Sequence, residues 1–182
     1  MPKLTSDFKK QIKTLDFKDL EMIALKCASR DRFCYEYILV NFLNPEYGEQ
    51  DLFEKYKLEL DALSQKTFAG RTESKRLSKL LKASNQLVKQ FKLVVKKANL
   101  EVELYLHLLE IQFEMLPQSI SVRYQVYDNA IARTLKKVID LVKEKLHEDY
   151  LLEYEGKING YLLTLHRVAP YNTHVKELPK KL

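Results

Sequence analysis

Carboxylates and imidazoles at helical spacing are the first residues in this chain that could do chemistry. Glu103, His107, Glu110 and Glu114 stand at i, i+4, i+7 and i+11, along one face of an otherwise apolar helix. Asp140, Glu144 and His147 repeat the first part of that spacing further on. Facing helices furnished in this way build the di-iron and di-manganese centres of helical bundles. Such a centre needs two Glu-x-x-His motifs and two more inward glutamates. The chain has one, Glu144-Lys145-Leu146-His147, and the earlier helix carries Glu-x-x-x-His instead. The expectation is two solvated polar stripes, with no metal and no other cofactor.

Arg167 and His174 have the R-x6-H spacing of some helical ribonucleases, in which the arginine steadies a phosphate and the histidine transfers a proton. Pro170 lies between them, so no single regular helix can present both. There is no P-loop, no dinucleotide-binding glycine fingerprint, no nucleophile elbow and no H-E-x-x-H. Four glycines in the whole chain leave little material for a loop that cradles phosphate. These readings point away from an enzyme.

What remains is charge. From Ser74 to Leu100 there are eight basic residues and no acidic one. At 100° per residue, Lys75, Lys79, Lys82, Lys89, Lys96 and Lys97 fall in one arc, with Arg76 and Lys92 on its flanks. The opposite arc is filled by Leu77, Leu80, Leu81, Leu87, Val88, Phe91, Val94, Val95 and Ala98. The whole chain carries a formal charge of +6, so this one segment exceeds the total and the rest is close to neutral. Charge localised in this way marks an electropositive patch rather than general solubility. Phe91 lies on the apolar side, so no aromatic ring interleaves with the cations to stack on bases. The expectation is a helical interaction module that presents its basic helix, residues 74–98, to an acidic protein or to a second copy of the chain. Binding of a nucleic-acid backbone without sequence preference is the alternative.

The elements that hold these residues should be helices. The 182 residues suit a single domain with a core that needs no metal or disulfide, and five prolines with four glycines are few for a β-rich fold. Apolar residues recur at helical period through most of residues 4–148, predicting an all-α fold of seven to eight helices. It would be an irregular bundle or a set of stacked helix pairs resembling an α-solenoid.

The first helix follows Thr5-Ser6 and the second is capped by Asp16, with Phe17, Leu20, Ile23, Ala24 and Cys27 on its buried face. A third runs to Asn44-Pro45 and a fourth starts after Gly48. Residues 67–72 read as the best place for a subdivision, followed by the basic helix capped at Thr72. The sixth helix, Leu100 to Leu116, is apolar nearly all round and should be central, ended by Pro117. The seventh, from about Ser121 to Leu146, turns Tyr127, Ile131, Leu135, Val138, Ile139 and Val142 inward. It turns Arg133, Lys136, Lys137, Lys143 and Lys145 outward. Beyond Tyr150, Gly156 and Gly160 suggest two short helices or a broken one. From about residue 170 the chain reads as a loose tail.

Cys27 and Cys34, with no C-x-x-C spacing, read as reduced and buried side chains. The amino-terminal residues contain no apolar leader. The longest uncharged run, Tyr37 to Pro45, has nine residues, against the roughly twenty that a membrane span needs. A cytoplasmic protein without a membrane partner is expected.

At Leu43-Asn44-Pro45 with Lys55-Tyr56-Lys57, and again along Glu101 to Glu114 and Tyr124 to Leu135, the chain resembles a family of uncharacterised bacterial proteins of similar length. The resemblance covers most of the chain and implies an all-α bacterial protein. That family has no assigned activity, so it transfers no functional residue.

Overall fold

Side-chain caps set where most of the helices begin, and the computed structural model describes them over residues 3–115 and 125–182. Thr5 accepts from the Phe8 amide at 3.2 Å and opens α1 (Ser6–Ile12). Asp16 accepts from Asp19 N at 2.8 Å to open α2 (Phe17–Arg30), and Asp31 from Cys34 N at 2.9 Å to open α3 (Arg32–Ile38). Then follow α4 (Gly48–Ser64), α5 (Glu73–Val94), α6 (Ala98–Glu114), α7 (Gln125–Lys145), α8 (Glu148–Val168) and the single turn α9 (Thr173–Lys176). The described residues are 79% helical and hold nine helices and no strand, an all-α fold whose helices pack as a bundle. The expected end of α6 at Leu116 and Pro117, and the expected start of α7 near Ser121, lie outside the described residues.

The chain divides into two compact units, residues 1–49 and 50–182. The boundary falls in the first turn of α4. Residues 67–72, where the sequence suggested a subdivision, connect α4 to α5 inside the second unit.

In the first unit, α3 runs into a π-helical turn, Leu39–Leu43, closed by Asn44 N donating to Leu39 O at 2.8 Å. Asn44-Pro45 ends it, as the residue types require. Gly48 is needed here, because a Cβ on it would stand 3.0 Å from the Val40 Cα. The buried face expected for α2 is not found. No residue of α1 or α2 is buried, and Phe17 is 78% exposed. Cys27 is likewise exposed and Cys34 half-buried, both as free thiols. Periodicity names the apolar side of a helix but not whether anything covers it, and 49 residues in three short helices close no core of their own.

The second unit has a continuous core. α6 is buried from Leu100 through Leu109 except at Glu103 and His107, and it packs against α5 and α7 as its all-round apolar character demands. Phe91 of α5 is fully buried, its ring edge-on to Tyr56 at 5.5 Å and to Phe53 at 6.3 Å. The inward set on α7 is buried throughout. α8 is one unbroken helix, because Gly156 and Gly160 both lie on its exposed side. The segment expected as a loose tail packs instead. Val175 and Leu178 are buried, Asn172 caps α9, and Leu182 N donates to Asn159 Oδ1 at 2.8 Å.

Candidate functional site

The cationic face of α5 exists because one side of that helix is tied down. Thr72 accepts from Lys75 N at 3.4 Å, and Leu80, Leu81, Ser84, Val88, Phe91 and Val94 are buried on the inner side. With that side fixed, Lys75, Arg76, Lys79, Lys82 and Lys89 are exposed on the helix. The basic helix expected over residues 74–98 ends at Val94, where the backbone turns extended at Val95, so Lys96 and Lys97 are exposed in the short link to α6 rather than on α5. Lys79 also reaches back to the Ala69 carbonyl at 2.6 Å, anchoring the start of the helix to the segment before it.

Two features of this face differ from the reading of the sequence. The first is that Lys92, expected among the free cations, is held by Glu101 at 2.7 Å. Glu101 is buried in the first turn of α6, and Lys137 of α7 approaches it as well at 3.4 Å. Lys137 was expected to point outward. It is half-buried, donates to the Tyr105 hydroxyl, and lies over the Tyr105 ring, 4.2 Å from its centroid. Burial lowers the Lys137 pKa, against the pull of Glu101. Burial and the Glu101 charge push the Tyr105 phenol up to about 12. A buried carboxylate with two cations on it satisfies the cost of its desolvation, and Lys92 is thereby removed from the set a partner can use. The position of Glu101 just after the basic run was the one available signal; α6 buries Glu101 in its first turn but leaves Glu110 and Glu114 exposed, so the apolar character of the helix does not by itself single out the buried charge.

The second feature is Leu93. It lies in the last turn of α5, four residues after Lys89 and on the arc of Lys75, Lys82 and Lys89, and it is 50% exposed, an apolar side chain at the end of the row of cations.

The residues considered for metal do not converge, and no group of three His, Cys, Asp or Glu side chains able to hold an ion occurs among the described residues. His107 Nε2 donates to Asp61 Oδ1 of α4 at 2.6 Å, and its Nδ1 lies 3.9 Å from Glu110. Glu103 accepts from the Tyr154 hydroxyl at 3.3 Å. Asp140 pairs with Lys136 at 3.1 Å, Glu144 is exposed, and His147 lies beyond the end of α7, accepting from Asp149 N. Glu103, His107 and Glu110 do line a cleft of about 290 Å3, together with Lys57, Glu153 and Lys157. Its two lysines and three glutamates leave it only one charge from neutral, and His107 clamps α6 to α4. His174 takes Arg133 at 2.9 Å and Glu177 at 3.4 Å as partners, while Arg167 is exposed in the last turn of α8.

No helix among the described residues is long and apolar enough to cross a membrane. Comparison with protein families, with curated proteins and with solved structures finds no match to the chain.

Proposed function

We propose that the protein is a helical interaction module whose α5, with the link that follows it, presents Lys75, Arg76, Lys79, Lys82, Lys89, Lys96 and Lys97 to an acidic protein partner. Leu93 carries this reading. A nucleic-acid backbone offers charge and no apolar surface to an isolated leucine, whereas an acidic amphipathic helix offers both. The stretch from Lys75 to Leu93 spans about 27 Å of rigid helix, enough for a partner helix of five turns.

The test uses three fluorescent probes, an amphipathic peptide of glutamates and leucines, polyglutamate, and a DNA duplex. The peptide should bind most tightly. Reversing Lys82, Lys89 and Lys96 to Glu should abolish its binding, and reversing the exposed Lys143, Lys145 and Lys180 should not, although net charge changes equally. Leu93→Ser should weaken the peptide by roughly tenfold and leave DNA unaffected. Tightest binding to DNA, indifferent to Leu93→Ser, would replace this reading with backbone recognition of nucleic acid. Equal losses from the two triple reversals would make the α5 face an ordinary solvated surface.

A further inference from the structure

α2 carries a second apolar strip that its own unit leaves uncovered. Met22 and Leu25 are 59% and 66% exposed, one turn apart, on a nearly flat face of α2 completed by Lys18, Glu21, Lys26 and Ser29. These six recur at i, i+3, i+4, i+7, i+8 and i+11, the spacing of a helix seam that meets another helix. Glu21 and Lys26 form no ion pair with the described residues. Exposed leucine and methionine side by side, flanked by unpaired opposite charges, mark a contact surface rather than a solvated face.

We infer that two copies of this chain pair through α2, antiparallel, about a twofold axis passing between residues 23 and 24. One symmetry operation relates all six of these residues. It sets Met22 against the Leu25 of the second copy, Glu21 against its Lys26, and Lys18 against its Ser29. A surface that complements itself in charge about a twofold axis is what an isologous interface requires. The overall charge agrees, because residues 1–49 contain eight basic and eight acidic side chains and impose no net repulsion between copies. An acidic partner would find no excess of cations here, and a lipid surface would be met by Glu21 as well as by the lysines. A single pair of 14-residue helices buries the area of a transient complex. The dimer should therefore be concentration-dependent, with a Kd of roughly 10–100 μM.

Charge exchange tests the pairing and its symmetry together, by analytical ultracentrifugation of the full chain across that range. Glu21→Lys places lysine against Lys26 of the second copy at both ends, and Lys26→Glu does the reverse, so each alone should raise the Kd at least tenfold. The double variant E21K/K26E restores opposite charges and should dimerise like the wild type. Mixing the two single variants should do so too, since one chain then carries lysine at both positions and the other glutamate at both. These residues are exposed, and unchanged circular dichroism will confirm that folding is intact. A wild-type chain that stays monomeric at about 500 μM overturns the proposal. Single variants that dimerise normally, or a double variant as weak as either single, would equally overturn it by showing that Glu21 and Lys26 do not face one another.

Discussion

Asp128 illustrates how burial decides a residue's chemistry against its local setting. It lies in the first turn of α7, where the helix dipole favours a carboxylate, yet it is largely buried and that burial pushes its carboxyl up to about 6. The folded chain thus holds this proton more tightly than the unfolded chain, whose aspartate has the ordinary value of 3.8. The stability this contributes is complete below about pH 4 and is lost as pH rises through 6. Asp128→Asn has no charge to desolvate. It should exceed the wild type in urea stability at pH 7.5 by on the order of 1–2 kcal/mol, with the gain gone by pH 4. An equal gain at both values would point to packing rather than ionisation. Nothing in the sequence separates Asp128 from the exposed Asp149, because both stand in the first turn of a helix. The same holds for Lys137 and Lys136, neighbours on α7 of which one meets a buried glutamate of α6 and the other an exposed aspartate of its own helix.

At the scale of the element, the helices were legible where capping chemistry and apolar period agreed. Thr5, Asp16 and Thr72 open α1, α2 and α5 as their types and positions indicate, and the inward face of α7 is the one its spacing specifies. α8 was less legible because glycine was weighed by intrinsic propensity alone. Tyr154, Ile158, Leu162 and Leu165 are buried on one side, and that packing outweighs two glycines on the other. A Cβ added at Gly156 or Gly160 meets nothing within 4 Å. Gly156→Ala and Gly160→Ala should therefore each stabilise the protein by about 0.5–1 kcal/mol, additively, read from the midpoint of chemical unfolding. A loss in either variant would mean that α8 is not continuous there.

For the whole molecule, stability should be divided as burial is. Glu36 and Val40 are the only buried side chains among the described residues of the first unit, whereas α6 alone buries nine. Hydrogen exchange at about 1 μM protein, below the range of self-association, should find the amides of Val102 to Leu109 slowest and those of α2 at least a hundredfold faster. Equal protection would show a cover over α2 that its own unit does not supply. Size and composition indicated an all-α protein but not this division, because the apolar patterns of α2 and α7 look alike and differ only in what packs on them. The face of α5 has a further consequence for the shape of whatever binds it. Lys75, Lys82 and Lys89 are seven residues apart, while two turns of a straight helix take about 7.2, so successive lysines drift backward by about 20° per step. The row of charges winds around α5 with a left-handed sense, and a partner helix that follows it will coil around α5 with the same hand, opposite to the right-handed course of the phosphates on a nucleic-acid duplex.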